Sequence, residues 1–232
     1  MRPFGKGLGH RIILHMQKSK CGKALLWVLA FGLLTETALF TACAEGPQAP
    51  ATPVDPVLRA RRERDIAFKS DPQSPIPAQD RTRFQGLEYF PLNPDLRFRV
   101  QLNRYPVPER IRMATNTGEV RDGLKYGYFE FRAGGVACRL QVYRLDDNDN
   151  PGQPSLFIPF RDATTGKETY AAGRYLDLRE NTSGLYDLDF NRAYNPSCAY
   201  GGDFSCPIPP EENRLSIQIR AGEKDYPHAP IH

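Results

Sequence analysis

The chain has 232 residues, 40% of them hydrophobic and 25% charged, a composition that supports a folded core and argues against global disorder. Residues 1–42 carry six Lys or Arg against one Glu, so the formal net charge of +4 leaves −1 for the rest of the chain. A nucleic-acid-binding protein should keep a basic body, so we expect no nucleic-acid partner.

The first predicted element is a signal peptide over residues 1–42. Residues 24–34 (ALLWVLAFGLL) form an uncharged apolar run of 11 residues after three lysines. A membrane-spanning helix needs roughly 20 such residues, whereas the core of a signal peptide is about this long. Either Met1 or Met16 would serve as the start, and an uncleaved N-terminal anchor is the alternative.

The end of this leader, LFTAC (39–43), resembles a bacterial lipoprotein box with Cys43 as the lipidated residue. It predicts a palmitate-bearing lipoprotein of the cell envelope, held to the membrane by its lipid anchor and facing outside the cytoplasm. Stable anchoring requires two acyl chains or an equivalent second signal. Simple secretion after cleavage near ACA (42–44) is the alternative.

Residues 43–57 (CAEGPQAPATPVDPV) are rich in Pro and Ala and predict an extended, semi-rigid tether. Residues 58–94 are predicted to form a helical and irregular N-terminal extension. Its helix is expected within 55–70, with Leu58, Ile66 and Phe68 in an imperfect apolar stripe. Within this helix, RARRER (59–64) is interpreted as a solvated face.

Residues 95–228 are predicted to form a β domain, because short segments of alternating polarity follow one another with turn signals between them. The predicted strands are 96–102, 126–133, 136–145, 155–162, 170–179, 184–191 and 214–220. This pattern predicts a mainly β fold, an antiparallel barrel or sandwich of about 7–8 strands with an N-terminal helical segment.

The positions of the histidines limit the chemistry. The four are His10, His15, His228 and His232, so a Ser–His–Asp or Cys–His site would need the C-terminal tail to fold back. Zinc sites with three histidines are excluded for the same reason. LDDNDNPG (145–152) lacks the sixth-position glycine of a calcium loop and is interpreted as a hairpin turn. We expect no metal and no cofactor.

Carboxylate chemistry remains open, because a pair of acids with separated pKa values can carry out acid–base catalysis without histidine. The acids of the C-terminal half that we considered are Asp162, Glu168, Asp177, Asp187, Asp189, Glu211 and Glu212.

Three cysteines lie in the predicted β domain. In an exported protein, Cys198 and Cys206 are predicted to form a disulfide, which would stabilise the fold by roughly 2–3 kcal/mol. Cys138 is predicted to be a buried apolar residue of a strand. Free thiols, or a three-thiolate metal site completed by His228, are the alternatives.

The loop enclosed by Cys198 and Cys206 is rich in aromatic residues. Tyr194, Asn195, Tyr200 and Phe204 are expected at one rim of the β domain, where ligands often bind. A structural corner packed by its own aromatic rings is the alternative.

Several longer segments resemble a prokaryotic family labelled domain of unknown function 1684. They are PFRDATTGKETYAAGRYLDL (159–178), DFNRAYNPSCAYGGDFSCPIPPEENRL (189–215), IRAGEK (219–224) and, less closely, SDPQSPIPAQDRTRFQGLEYFP (70–91). The resemblance spans about 60–230. It implies a shared fold and a set of recurring polar residues, and it carries no established activity.

The leading hypothesis is an exported, lipid-anchored β domain that binds a small molecule or a protein at a rim formed by 160–170 and 190–214. Most of the predicted ligand-binding residues are recurring polar residues of the resembled family: Arg161, Arg174, Asn191, Tyr194, Asn195, Tyr200 and Asn213. A second hypothesis is a histidine-independent enzyme of hydrolase type, with catalytic candidates Asp162, Lys167, Glu168 and Tyr170. A third is a purely structural envelope protein.

Overall fold

The computed structural model describes residues 54–145 and 155–227. The predicted signal peptide, most of the predicted tether including Cys43, all but Leu145 of the turn predicted at 145–152, and His228 lie outside the described residues.

The described part begins with helix α1, Pro56–Ser70, which confirms the helix expected here. The Asp55 side chain accepts a hydrogen bond from the Val57 backbone N–H at 2.8 Å and caps the helix. Val57 and Phe68 are buried, whereas Leu58 and Ile66 are 36% and 66% exposed, so the predicted apolar stripe is wrong at those two positions. No helix within the described ranges is both long and apolar enough to cross a membrane.

Seven strands follow α1 in the described part of the chain. They are β1 (Arg97–Gln101), β2 (Asn103–Ala114), β3 (Val120–Ala133), β4 (Val136–Leu145), β5 (Ser155–Phe160), β6 (Arg174–Arg179) and β7 (Leu185–Asp189). They form a five-stranded antiparallel sheet in the order β2-β3-β4-β5-β6 and a two-stranded antiparallel sheet of β1 and β7.

The main core joins the two sheets. Phe129 and Leu140 of the five-stranded sheet are fully buried with Leu188 of β7 and Phe190 just beyond it. The predicted mainly β, antiparallel fold is confirmed. Two stacked sheets of five and two strands make it sandwich-like, and the strands of the described residues do not close into a barrel.

Strand β2 was not predicted, because its sequence contains Pro106 and Pro108. Proline removes a backbone donor and is tolerated mainly at the edge of a sheet. β2 is such an edge strand, and its register with β3 shifts between Arg104 and Glu109, where the two prolines lie.

The strand predicted at 214–220 is wrong. Leu215 and Ile219 point inward as its alternation predicts, but the segment has no continuous strand partner. At Ile219, the carbonyl accepts a hydrogen bond from the Arg174 guanidinium at 2.8 Å. A side chain from β6 therefore satisfies backbone groups that a neighbouring strand would otherwise pair.

Candidate functional site

An open cavity of about 410 Å³ lies on the face of the five-stranded sheet opposite the main core. Strand alternation creates this second face, because Tyr175 and Asp177 are two residues apart on β6 and project to the same side. Phe157 of β5 pairs with Asp177 across the sheet, and Tyr143 of β4 pairs with Phe157. The register therefore places aromatic rings beside a carboxylate.

A segment after β7 covers part of this face. Tyr175 and Tyr194 exchange backbone hydrogen bonds of 2.9 and 3.1 Å. Their rings lie 5.8 Å apart in an edge-to-face arrangement. The Tyr175 ring also meets Phe157 at 4.8 Å, and its hydroxyl donates to the Pro207 carbonyl. These contacts fix the aromatic walls of the cavity.

We call residues 204–208 the strap, since they run along the end of β2 and close one side of the cavity. The Ile208 N–H donates to the Ala114 carbonyl at 2.8 Å, and the Cys206 N–H donates to the Asn116 side chain at 2.6 Å. Phe204 is 37% exposed, so a large aromatic ring of the cavity wall remains open to a ligand.

Asp177 is the carboxylate of this cavity. Its Oδ2 accepts a hydrogen bond from the Tyr194 hydroxyl, and no described residue is hydrogen-bonded to its Oδ1. The side chain reaches solvent, but surrounding protein atoms crowd it. Partial desolvation raises the pKa of Asp177 above its ordinary value, although the Tyr194 hydrogen bond and the Arg64 charge oppose the shift.

Burial also raises the pKa of Tyr194 well above its ordinary value, so this hydroxyl remains protonated and keeps donating to Asp177. The guanidinium of Arg64, on α1, lies 4.9 Å from the centre of the Tyr194 ring and stabilises it through a cation–π contact. Helix α1 thus supports the cavity wall from behind.

Two other cavities are less suited to a ligand. One of about 560 Å³ beside β1 and β7 is charged, but Arg97 and Arg192 are engaged there with Asp189, at 3.2 and 4.0 Å. The other, of about 390 Å³, lies over Phe84 and Tyr226. Asp177 also borders the cavity beside β1 and β7. The 410 Å³ cavity differs from both in setting this carboxylate beside the rings of Phe157, Tyr175 and Tyr194.

The predicted ligand-binding residues are mostly buried and hold backbone in place. Asn213 is fully buried and donates to the carbonyls of Gln141 and Pro159 at 3.0 and 2.7 Å, which joins β4 to β5 where the two strands separate. Buried side chains with comparable internal partners are those of Arg174, Asn191, Asn195 and Tyr200.

Two members of the predicted ligand-binding set remain. Arg161 is half-buried and donates to the Ala172 carbonyl at 3.3 Å, whereas Tyr194 lines the cavity. The lining therefore draws on 194–207 and, within the described ranges, on no residue of 160–170.

The predicted catalytic candidates lie in different surroundings. Asp162 is buried in an ion pair with Arg174 at 2.7 Å, and Lys167 is exposed. Glu168 pairs with Arg220 at 3.0 Å, and Tyr170 lies 3.8 Å from the Cys198 sulfur. This placement gives no support to an enzyme that uses the four together.

Cys198 and Cys206, predicted as a disulfide, are free thiols in this structure, as is Cys138. Their association is nevertheless close, because the Cys198 backbone N–H donates to the Cys206 sulfur at 3.3 Å. The disulfide stays a prediction. Groups of three or more His, Cys, Asp or Glu side chains that could hold a metal are absent from the described residues.

Sequence reasoning did not select Phe157, Tyr175 or Asp177 as a site. Asp177 was one acid among several, and its alternation with Leu176 and Leu178 in RYLDLR (174–179) was the available signal. That pattern predicts that Asp177 lies on the face away from the core.

Comparison with known proteins agrees with the resemblance seen in the sequence. No curated protein matches the chain. The chain is similar to an uncharacterized protein from Haloarcula marismortui, known from a solution NMR structure, at 38% identity and a TM-score of 0.57. The match covers 74% of this chain and 94% of that one. A family model described as protein of unknown function (DUF1684) matches residues 82–224, a narrower span than the sequence suggested. The chain belongs to the DUF1684 family.

Proposed function

We propose that this protein is an exported, lipid-anchored β domain that binds a small ligand in the cavity beside Asp177. The ligand would carry an aromatic ring and a positively charged amine. The observation that carries this proposal is the accessible Asp177 Oδ1, which has no described partner and is framed by aromatic rings. A carboxylate gains a strong, charge-assisted hydrogen bond from an ammonium group.

The walls of the cavity support the same ligand class. The rings of Phe157, Tyr175 and Tyr194 are held edge to face, and Phe204 remains partly exposed. Such walls pack against a flat ring and also attract a cation. Binding pockets of this kind pair apolar lining with a few polar groups that orient the ligand.

Asp177→Asn tests the proposed site with tyramine as the probe. Isothermal titration of the full chain should show tyramine binding, and the variant should weaken it by at least about tenfold because the charge-assisted hydrogen bond is lost. Folding should be unaffected, since the Asn side chain still accepts the Tyr194 hydrogen bond. A second variant, Phe204→Ala, should weaken binding by removing part of the wall.

Two controls accompany this experiment. Asp187→Asn removes an exposed carboxylate from β7 and should leave tyramine binding unchanged. In 4-hydroxyphenylacetate a carboxylate replaces the ammonium group, and this molecule should bind far more weakly than tyramine. Equal binding of the two molecules, or no tyramine binding by the unaltered chain, would contradict the ligand class. Unchanged binding by Asp177→Asn would contradict the siting.

The pH dependence of binding gives a second readout of Asp177. Ammonium recognition requires the ionised carboxylate, so affinity should fall as the pH falls through the folded-state pKa. Because that pKa is raised, the loss should begin at a higher pH than for an ordinary aspartate. Asp177→Asn should remove this dependence.

We propose that a lipid attached to Cys43 anchors the exported protein to the membrane. The sequence LFTAC (39–43) supports this proposal. When the full chain is expressed in a bacterium supplied with a palmitate analogue, the label should be incorporated and the protein should sediment with membranes. Cys43→Ser should abolish the label and release the protein. Absence of label in the unaltered chain, while a control lipoprotein is labelled, would argue for secretion or an uncleaved anchor instead. Label retained in the variant would contradict Cys43 as the lipidated residue.

A further inference from the structure

The three described cysteines occupy two kinds of environment. Cys138 lies on β4 within the main core and donates weakly to the Val136 carbonyl at 3.7 Å. Cys198 is half-exposed and Cys206 is buried, and both are free thiols. Reagents can therefore reach the sulfur of Cys198 but not that of Cys206.

The geometry brings the members of this pair together. Cys198 lies in a short 3₁₀ turn, Ser197–Tyr200, and its N–H donates to the Cys206 sulfur at 3.3 Å. The Asn116 side chain accepts a hydrogen bond from the Cys206 N–H at 2.6 Å, and the Asn116 N–H donates to the Cys206 carbonyl at 3.1 Å. The strap therefore fixes Cys206 next to the sulfur of Cys198.

The hydrogen bonds around the two sulfurs distinguish them chemically. The pKa of the Cys198 thiol is lowered to about 7, chiefly by a hydrogen bond from Cys206 and further by one from Tyr170, against the effect of burial. The same hydrogen bond raises the pKa of Cys206. Cys206 and Tyr170 are the titratable groups that face Cys198, and Tyr175 and Asp225 lie next to them.

We propose that Cys198 and Cys206 form a thiol–disulfide exchange site, in which the half-exposed Cys198 attacks small disulfides and the buried Cys206 resolves the product. An accessible thiolate beside a buried thiol is the arrangement that favours such exchange. The site adjoins the ligand cavity, because Cys206 lines it, but it does not depend on the proposed ligand.

The chemistry balances as two successive displacements. The Cys198 thiolate attacks one sulfur of a disulfide RSSR, breaks the S–S bond, and releases RS⁻, which takes up a proton. Cys206 then loses its proton and attacks the Cys198 sulfur, which forms the intramolecular disulfide and releases the second RS⁻. The two RS⁻ ions take up the proton that Cys198 lost on ionisation and the proton that Cys206 lost, so the dithiol gives up two electrons and two protons and RSSR becomes two RSH.

Oxidised glutathione is the probe for this proposal. The fully reduced full chain is exposed to iodoacetamide or to oxidised glutathione, and each cysteine is quantified by peptide mass spectrometry. At pH 7, Cys198 should be alkylated at least about tenfold faster than Cys138, since it is more exposed and its pKa is lowered, whereas burial raises the pKa of Cys138. Oxidised glutathione should yield a Cys198–Cys206 disulfide that excess reduced glutathione opens again.

Two variants separate the roles of the sulfurs. In Cys206→Ser the glutathione adduct should persist on Cys198, because nothing resolves it. In Cys198→Ser, Cys206 should remain unmodified. Alkylation of Cys198 no faster than that of Cys138, a stable adduct on Cys198 in the unaltered chain, or a disulfide that resists reduced glutathione would each overturn the proposal. These readouts come largely from the unaltered chain, so a variant that fails to fold leaves them intact.

Discussion

Replacement of Arg174 by methionine is expected to lower the free energy of unfolding by about 3–5 kcal/mol. The Arg174 and Asp162 side chains are 1% and 0% exposed and pair at 2.7 Å. Methionine fills a similar volume but leaves the Asp162 charge buried without a cation. Removing one partner of a buried ion pair costs far more than the pair itself contributes.

Arg174 also bonds to the backbone of the C-terminal segment, which forms no continuous strand. Its guanidinium donates to the carbonyls of Ile219, Ala221 and Glu223. Asp162 in turn accepts from both the backbone N–H and the hydroxyl of Thr164. The loop after β5 and the C-terminal segment are therefore held by one buried network, and its loss leaves several polar groups unsatisfied.

Urea unfolding of the full chain, followed by circular dichroism, measures this effect. Arg220→Met is the matched control, because Arg220 pairs with Glu168 at the surface in the same region, and it should change stability by less than about 1 kcal/mol. Adding Asp162→Asn to Arg174→Met should recover part of the loss, since no charge then remains buried. Equal stability of the Arg174→Met and Arg220→Met variants would contradict the role assigned to the network.

The same network explains the error in the predicted strands. Alternation in 214–220 correctly predicted that Leu215 and Ile219 point inward, because a side chain's polarity decides which side it takes. It could not show that the Ile219 carbonyl bonds to the Arg174 side chain and not to a neighbouring strand. Hydrogen-bond partners distant in the chain depend on the fold as a whole.

The sequence pointed to the loop that borders the cavity, but it did not point to the residues that the sheet contributes. Tyr194 and the aromatic loop were placed near a rim from local sequence, and Tyr194 does line the cavity. Asp177 joins it only through the register of β5 with β6 and through the covering strap, neither of which a single sequence specifies. Asn213 and Asn191 were expected at a surface site. Instead, their buried side chains donate hydrogen bonds to the backbone carbonyls of other segments.

Arg64→Met is the second replacement with a large expected effect, a loss of about 3 kcal/mol or more. The sequence predicted RARRER (59–64) as a solvated face, but Arg64 Nε lies 2.8 Å from Oε1 of Glu223, whose side chain is 1% exposed. Burial alone would lower the pKa of Arg64, yet the Glu223 charge together with the Tyr200 and Tyr89 hydroxyls more than offsets this effect, and the pKa is raised. Without Arg64, the buried carboxylate of Glu223 loses its direct ion-pair partner.

Arg64→Met should also loosen α1, because Arg64 is one of the contacts that hold this helix to the sheet domain. Arg61 and Asp65 remain, with hydrogen bonds to the backbone of Phe90 and Leu87 at 3.0 Å each. In Arg64→Met we therefore expect hydrogen exchange to become faster along α1 and to change less in the β strands.

Arg62→Met is the control on the same helix, because Arg62 is exposed and its replacement should change the free energy of unfolding by less than about 0.5 kcal/mol. A double variant, Arg64→Met with Glu223→Gln, should be more stable than Arg64→Met alone, since the uncompensated charge is gone while Tyr200 and Asn195 can still donate to the Gln side chain oxygen. If Arg64→Met matched Arg62→Met in both urea unfolding and hydrogen exchange, the helix would be held by its other contacts, and the buried pair with Glu223 would contribute little to its docking.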